Sequence, residues 1–308
     1  MQPKVTIMIP TYNQEEYIAE AIESALSQDY PNLEVIVTDD CSKDRTGEIA
    51  KRYTTDPRFR YILNETNLGR VGNYHNTLYT HATGEWVINL DGDDYFTDDQ
   101  FISRSMQRIL SQNNIVCYFA TPYMRHKVRK YASRIQHNCY LFNGKDFFLR
   151  FFTLGNFMHA GAIYNRKIAL KDSLCYTYDG IQSDFHGIIR YCLLGNIIFA
   201  KDDWFHWRIH NNNATTSISN ITKYELEIKC QQQIISDIPH NILNSLEISN
   251  WLKTGQKAAM NQYVIDCLCL TPSISSLVLG LKHFRFFVPY IIIYCKSILN
   301  CLGIKVRF

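Results

Sequence analysis

The sequence predicts an α/β fold in which helices flank a mostly parallel β-sheet. Short apolar runs alternate with segments of helical periodicity through the N-terminal third of the chain, and this alternation is typical of βαβ units. Two of the apolar runs end directly in acidic residues, at Asp39-Asp40 and at Asp91 to Asp94. With 308 residues, of which 46% are hydrophobic, the chain can bury the core of one large α/β domain, or of one medium domain that carries an appendage.

The first elements are a strand, a helix and a second strand. Val5 to Ile9 is an apolar run closed by Pro10 and predicts a strand. Ile18 to Leu26 repeats apolar residues at the three- and four-residue spacing of an amphipathic helix. Leu33 to Val37 predicts the second strand, which leads directly into Asp39.

The alternation continues up to the second acidic cluster. The sequence predicts a helix from Thr46 to about Tyr53, a strand from Phe59 to Leu63, a helix from Asn73 to His81, a strand from Trp86 to Leu90 and a helix from Phe101 to Leu110. Because crossovers between parallel strands are right-handed, the carboxyl ends of these strands open on the same edge of the sheet.

The acidic strand ends predict a metal site at that edge. Asp39, Asp40, Asp91 and Asp93 can converge there, and open α/β sheets bind ligands at the carboxyl ends of their strands. Asp91 and Asp93 flank a glycine and can both address one hard divalent cation, Mg²⁺ or Mn²⁺, which keeps positions open for phosphate oxygens. The alternative is that the acids cap the helix that follows.

Charge and cysteine pattern limit the classes of partner. A net charge of +3 decides little, and no nucleic-acid partner is expected. The ten cysteines are scattered without the spacing of a metal finger, and the chain enters its first strand without a segment that resembles a signal peptide. We therefore expect free thiols in the reducing cytosol.

The C-terminal region, 221–308, is expected to form a helical extension that is apolar and basic. Asp266 is the last acidic residue, and the cations that follow it are unopposed. The apolar run from Phe286 to Cys295 is far shorter than the roughly 20 residues of a spanning helix. Residues 271–308 therefore suggest a segment that lies in the interface of an anionic membrane. A helix packed under the α/β domain, or a dimer interface, is the alternative.

Four short segments occur in a characteristic order. They are Val5-Thr-Ile-Met-Ile-Pro-Thr-Tyr-Asn13, Glu34-Val-Ile-Val-Thr-Asp-Asp-Cys-Ser42, Asn67-Leu-Gly69 and Leu90-Asp-Gly-Asp-Asp94. Together they resemble the family 2 glycosyltransferases, and the likeness continues to about His210. The resemblance implies a GT-A fold with a nucleotide-binding half over 1–118 and an acceptor half over 119–220. It also implies an inverting sugar transfer from a nucleotide sugar.

The resemblance implies a donor site at the carboxyl edge of the sheet. Asp39 would accept a hydrogen bond from the uracil ring, while Asp93 would hold the metal and Asp91 would contact the ribose or the metal. The implied donor contacts are Pro10, Thr11, Tyr12, Asp39, Asn67, Arg70, Asp91 and Gly92, and the implied metal contacts are Asp93, Asp91 and His210.

Several of these positions have alternative roles. Arg70 can pair with phosphate or be a solvated arginine on a loop, and His210 can approach the metal or pack beside His206. Asp40 and Ser42 are expected to hold the loop after the second strand, and Asp94 the loop after the fourth. The family usually has glycine where this chain has Cys41, and cysteine disfavours a positive φ.

An inverting transfer also needs a base that faces the metal from the acceptor side. The segment from Gln182 to Arg190 resembles the family's acid at the start of a helix, so Asp184 is the expected base and Asp179 the second candidate. Asp184 is equally well placed as a helix N-cap, and a raised pKa is expected there only if the site excludes water. Residues 156–161, with His159 and Gly161, are expected to wall the sugar and acceptor cleft.

The implied function is that of an inverting hexosyl- or N-acetylhexosaminyltransferase that requires Mn²⁺ or Mg²⁺. It would move a sugar from a UDP-sugar to a glycan or lipid-linked glycan in surface polysaccharide synthesis, at the inner face of the cell membrane. A non-catalytic nucleotide-sugar or glycan-binding module of the same fold is one alternative. A sugar nucleotidyltransferase is another, but the Gly-rich, lysine-containing phosphate loop expected near its first strand is not found after Pro10.

Overall fold

The computed structural model describes residues 2–121, 128, 130–136, 138–154, 159–171, 174–202, 204–208, 210 and 219–270, with the backbone alone at 221 and 264–270. The strands in chain order are β1 (Val5–Thr11), β2 (Leu33–Asp39), β3 (Phe59–Leu63), β4 (Trp86–Asn89), β5 (Tyr95–Phe96), β6 (Ile115–Thr121), β7 (Ser133–Gln136), β8 (Cys139–Asn143), β9 (Ala162–Asn165), β10 (Asn196–Lys201) and β11 (Phe205–His206). The helices are α1 (Ile18–Leu26), α2 (Thr46–Lys51), α3 (Gly69–Asn76), α4 (Phe101–Leu110), α5 (Gly144–Leu154), α6 (Arg166–Lys171), α7 (Ser183–Tyr191), α8 (Asn220–Asp237) and α9 (Ser245–Leu270).

A nine-stranded sheet lies within the compact unit Met1–His210, and its strands have the order β3-β2-β1-β4-β9-β6-β10-β8-β7. The strands β3, β2, β1 and β4 pair in parallel, as do β6 and β10. β9 is antiparallel to β4 and β6, and β8 is antiparallel to β10 and β7. The predicted α/β class with a mostly parallel sheet is confirmed, and the carboxyl ends of β1, β2 and β4 lie on one edge.

The central strands are buried because helices cover both faces of the sheet. Every residue of β1, β2 and β6 is buried. α1 contributes its apolar face to this core through Ile18, Ala21, Ile22 and Ala25. On α4, Phe101 stacks on Trp204 with a centroid distance of 5.5 Å, which fixes the segment before β11 against the sheet.

Element boundaries differ from the predicted ones mainly around α3. The predicted helix from Asn73 to His81 begins earlier, at Gly69, and gives way to a π-helical turn over Thr77–His81. The turn widens because the N–H of Ala82 donates to the carbonyl of Thr77 at 2.8 Å, five residues back.

Residues Met1–His210 and Asn211–Phe308 form two separate compact units. α8 contains the segment predicted to be helical from Tyr224, and Tyr224 lies against Tyr263 of α9 with a centroid distance of 5.5 Å. Within the described part of the chain, no helix has both the length and the apolar character needed to cross a membrane. The segment 271–308, to which the membrane expectation applies, lies outside the described residues.

Candidate active site

Three carboxylates follow β4 at the carboxyl edge of the sheet. Asp91, Asp93 and Asp94 each offer a ligand oxygen, and these oxygens all lie within 4.8 Å of one another. β4 pairs in parallel with β1, so the cluster lies beside the residues that follow β1. Oxygen donors at this spacing are the ligands that Mg²⁺ and Mn²⁺ prefer.

Gly92 allows the acidic loop to close on the end of β1. A Cβ at Gly92 would lie 2.3 Å from Oε1 of Gln14 and 2.8 Å from Oγ1 of Thr11. These two neighbours hold each other, because the Thr11 hydroxyl donates to Oε1 of Gln14 at 2.5 Å. Glycine at this position therefore has a packing reason, and its predicted donor contact stays a prediction.

Two of the three carboxylates, Asp93 and Asp94, are harder to ionise in the folded protein than in water. Burial, and then the charge of Asp91, raise the pKa of Asp93. The same two causes raise the pKa of Asp94 to about 7, although the backbone N–H of Arg208 donates to its Oδ1 at 2.9 Å. Raised pKa values mean that the site resists holding all three charges at once, and a divalent cation would remove that cost. The donor set therefore fits a hard divalent metal.

The segment after β11 reaches the acidic cluster from the side of α1. His210 Nε2 lies 2.8 Å from Asp93 Oδ2, and its ring stacks on Tyr17 with a centroid distance of 5.0 Å. The guanidinium of Arg208 lies 4.7 Å from the Tyr17 ring and forms an ion pair with Glu20. The structure thus brings His210 to the predicted metal ligand.

His206, which the alternative interpretation places beside His210, has an aromatic partner on β5. The His206 ring lies against Tyr95, with a centroid distance of 5.1 Å. β11 pairs with β5 in antiparallel orientation, and His206 is opposite Tyr95 in that pairing. The two histidines therefore have different ring partners.

Asp39 lies at the end of β2 and is almost fully buried. Its Oδ1 accepts from the N–H of Ser42 and its Oδ2 from the hydroxyl of Tyr61, each at 2.8 Å. Ser42 in turn accepts from the N–H of Asn13 at 2.9 Å. The two oxygens of a carboxylate offer about four lone-pair positions, so these two contacts leave capacity for a ligand donor, and the contact of Asp39 with uracil stays a prediction.

Asp40 ties the loop after β3 to the loop after β2. Its Oδ1 accepts from Asn64 Nδ2 at 2.9 Å and from the N–H of Leu68 at 2.8 Å, and its backbone carbonyl accepts from Asn67 Nδ2 at 3.1 Å. The next residue, Cys41, has a φ of 65°. The backbone thus adopts the left-handed conformation that glycine favours, and Cys41 adopts it at some cost.

Arg70 is not a solvated arginine on a loop, because it bonds to residues at the start of α7. Its Nη2 donates to the carbonyl of Ile181 at 2.9 Å and to Oγ of Ser183 at 3.4 Å. The guanidinium also lies 5.6 Å from the ring centroid of Tyr74. Arg70 therefore joins α3 to the start of α7, and its predicted contact with phosphate stays a prediction.

The remaining predicted donor contacts lie at the end of β1. Pro10 is buried within the strand, while Tyr12 follows it with 45% of its surface exposed. An exposed ring beside buried strand ends is open to a ligand, whereas Pro10 offers only backbone. Both assignments stay predictions.

A histidine joins the acidic cluster to Asp184. His159 Nε2 lies 3.0 Å from Asp91 Oδ2, and His159 Nδ1 lies 3.1 Å from Asp184 Oδ2. α7 begins at Ser183 with Gln182 as its N-cap, so Asp184 lies in the first turn and not at the N-cap. The other candidate, Asp179, is exposed.

The pKa of Asp184 is lowered, whereas a site that excludes water is expected to raise it. Burial acts to raise this pKa, but the hydrogen bond and the charge of His159 outweigh burial and lower it. Burial also acts to lower the pKa of His159, and Asp91 and Asp184 together raise it well above its ordinary value. Asp184 is therefore held in the ionised form, which is the form that a base needs.

The expected cleft wall is only partly described, because 155–158 lie outside the described residues. Gly161 is buried, and a Cβ there would lie 2.4 Å from Cζ2 of Trp204 and 2.6 Å from the carbonyl of Ala120, so its place in the cleft wall stays a prediction. The bridging position of His159 was not predicted, because residues 91, 159 and 184 are joined only through the fold. Arg208 was missed for the same reason.

Comparison with known proteins gives a consistent result. Residues 6–171 match the sequence profile described as glycosyl transferase family 2. Over 98 residues, 31% of this chain, the sequence is 39% identical to the poly(ribitol-phosphate) beta-N-acetylglucosaminyltransferase TarS of Staphylococcus aureus. It is 27% identical to the hyaluronan synthase of Pasteurella multocida, an alignment that covers 91% of this chain. The matches span only 17% and 34% of these two relatives.

Solved structures agree with the fold. The crystal structure of TarS 1–349 from S. aureus superposes with a TM-score of 0.63 at 18% identity, covering 99% of this chain and 93% of that one. The same TarS fragment in complex with UDP-GlcNAc gives a TM-score of 0.60. A mannosyltransferase from Pyrobaculum calidifontis, in complex with GDP-Man and Mn²⁺, gives 0.58 at 16% identity, covering 99% of this chain and 89% of that one.

Proposed function

The chain belongs to glycosyl transferase family 2, and from that premise we propose that it is an inverting glycosyltransferase. It takes a sugar from a UDP-sugar and places it on a glycan or lipid-linked glycan in the synthesis of a surface polysaccharide. The observation that carries the proposal is the contact of His159 with both Asp91 and Asp184. It joins an acid of the predicted acceptor half to the acidic cluster after β4.

The donor is proposed from the acidic cluster and from the relatives. Three convergent carboxylates, of which burial and mutual repulsion raise the pKa values of two, fit a divalent cation, which would supply positive charge to a diphosphate. TarS was crystallised with UDP-GlcNAc, and its name describes it as an N-acetylglucosaminyltransferase. A UDP-linked hexose or N-acetylhexosamine is therefore the proposed donor class, with Asp39 reading the uracil ring.

Each group has one task in the proposed reaction. The acceptor hydroxyl attacks the anomeric carbon from the face opposite the nucleotide, its proton passes to Asp184, and the bond from the anomeric carbon to the diphosphate oxygen breaks. A metal held by Asp93 and Asp91 would supply Lewis-acid stabilisation to the departing UDP. His210, in contact with Asp93, would orient that ligand.

The nature of the acceptor rests on the relatives and the composition of the C-terminal region. The name of TarS refers to poly(ribitol-phosphate), and the name of the other relative refers to hyaluronan. The segment 271–308 is apolar and basic, and we propose that it contacts the inner face of the membrane, where a lipid-linked acceptor would be presented.

Two other functions predict different products. A non-catalytic module would bind the donor without releasing UDP, and its retention of ionised Asp184 beside the acidic cluster would have no purpose. A nucleotidyltransferase would release pyrophosphate instead of UDP.

The test incubates the protein with Mn²⁺ and a panel of UDP-, GDP- and dTDP-sugars, follows melting temperature, and identifies the nucleotide product. Selective stabilisation by UDP-sugars, with UDP as the product, supports the proposal. Stabilisation by GDP-sugars alone would contradict the role of Asp39, and stabilisation by dTDP-sugars alone would contradict the choice of UDP. Binding without UDP release in the presence of glycan acceptors would favour the non-catalytic module.

A further inference from the structure

We propose that His159 is a positioning residue that holds the base Asp184 in register with the metal-binding cluster. The inference rests on the proposed function and assigns His159 a role beyond that of a cleft wall. The ring spans the distance between two carboxylates, with Nε2 3.0 Å from Asp91 Oδ2 and Nδ1 3.1 Å from Asp184 Oδ2. Each nitrogen of the ring thus serves one half of the site.

Both ends of this bridge are anchored. Ala160, next to His159, accepts from Trp204 Nε1 at 3.1 Å through its carbonyl, and the edge of the His159 ring meets Tyr74 with a centroid distance of 6.4 Å. On the other side, Arg70 holds the residues before Asp184 through Ile181 and Ser183. A ring fixed in this way can set the rotamer of Asp184 before any substrate arrives.

The geometry assigns different tasks to the two oxygens of Asp184. Ionised carboxylates only accept hydrogen bonds, so Nδ1–H of His159 donates to Oδ2. The carboxylate also accepts from the backbone N–H of Phe185, and Oδ1 is the oxygen assigned to the substrate proton. When the bond between the acceptor oxygen and the anomeric carbon forms, that proton passes to Oδ1 and UDP carries away the electrons of the broken bond. His159 takes no proton and touches no reacting atom.

The amide variants separate the two contacts of the ring. In His159→Asn the side-chain amide nitrogen falls near the place of Nδ1 and can still donate to Asp184. In His159→Gln it falls near Nε2 and keeps only the contact with Asp91. The assay is UDP release from UDP-N-acetylglucosamine and from UDP-glucose with Mn²⁺ and water as acceptor, with UDP affinity and melting temperature measured on each variant.

We expect His159→Gln to lower kcat by about 10- to 100-fold with little change in KM, and His159→Asn to retain most of kcat. In an Asp184→Asn background, His159→Gln should cause no further loss, because a residue that acts only through Asp184 has nothing left to position. Rates are taken below the onset of unfolding of each variant, so a drop in melting temperature does not mimic the effect.

Equal losses of kcat in the asparagine and glutamine variants would overturn the inference, as would a loss confined to KM or a full additional loss in the Asp184→Asn background. Failure of the proposed function looks different. In that case the wild-type protein releases no UDP from either probe, or Asp184→Asn leaves UDP release unchanged.

Discussion

Replacing Asp94 by asparagine is expected to make the metal-free protein more stable at neutral and alkaline pH. Asp94 is 3% exposed, and burial, followed by the charge of Asp91, raises its pKa from 3.8 to about 7. An acid whose pKa is raised by folding contributes its full stabilisation below its unfolded pKa, and that stabilisation is lost as the pH rises from the unfolded pKa through the folded pKa. The loss therefore falls between about pH 4 and about pH 7.

The size of the effect follows from that difference. One pKa unit corresponds to about 1.4 kcal/mol, so the rise from 3.8 to about 7 sets a ceiling of about 4 kcal/mol on the free energy lost. Asparagine carries no charge, and its Oδ1 can still accept from the backbone N–H of Arg208. The variant therefore removes the electrostatic cost and keeps the hydrogen bond.

The assay is urea unfolding in EDTA at a series of pH values, with Asp29→Asn as the matched control on an exposed aspartate. The free energy of unfolding of Asp94→Asn should exceed that of wild type by an amount that grows from about pH 4 to about pH 8, and Mn²⁺ in place of EDTA should narrow the gap. If the difference in the free energy of unfolding between Asp94→Asn and wild type does not change with pH, or does not change with Mn²⁺, ionised Asp94 does not destabilise the folded protein and the reasoning is refuted.

Three further predictions concern the site and the sheet that carries it. Gly92→Ala should lower the free energy of unfolding by about 1–3 kcal/mol through overpacking and should weaken UDP binding in the presence of Mn²⁺. The control is Gly72→Ala, whose Cβ would meet only Leu68 Cβ at 3.0 Å and which should leave UDP affinity unchanged. Equal losses of UDP affinity in the two variants would contradict the packing argument. Burial opposes the pKa shift of Glu34, but hydrogen bonds led by the one from Thr6 lower that pKa from 4.5 to about 2. The free energy of unfolding should therefore decrease by about 3 kcal/mol as the pH falls from 4.5 to about 2. If Glu34→Gln shows the same decrease in an acid titration, Glu34 is not the cause. Cys41→Gly should stabilise the protein by up to about 1 kcal/mol in thermal unfolding, because φ is 65° there, and a destabilised variant would contradict the strain.

Local patterns were enough to predict most strands and helices between Val5 and Leu110. The apolar runs at β1, β2 and β3 and the helical spacing of α1 appear in the structure close to their predicted places. Period and composition are local signals, and here local preference and the tertiary fold agree. The acidic ends of β2 and β4 could also be placed on one edge, because the direction of parallel crossovers is fixed.

Contacts between distant segments could not be predicted. Nothing in the sequence pairs His159 with Asp91 and Asp184, because that bridge depends on where β9 enters the sheet and how α7 approaches it. The lowered pKa of Asp184 has the same origin, since it comes from a ring that belongs to another segment. The close contact of Gly161 with Trp204 could not be predicted either, because Trp204 comes from a segment far along the chain.

The helix around Asn73 shows a limit of a different kind. The apolar spacing gives the right type of element, but the N–H of Ala82 bonds to the carbonyl of Thr77 and widens the last turn. Such a turn depends on backbone hydrogen bonds and on the Thr77 hydroxyl, which donates to the carbonyl of Asn73 at 2.7 Å. Periodicity does not record these contacts.

The most direct test of the account is the turnover of Asp184→Asn with saturating UDP-sugar and Mn²⁺, beside its affinity for UDP. If Asp184 is the base opposite the metal-binding cluster, kcat should fall by about 10²- to 10⁴-fold while UDP binds as it does to wild type. Unchanged turnover would contradict the account, and so would a loss of UDP affinity large enough to explain the whole effect.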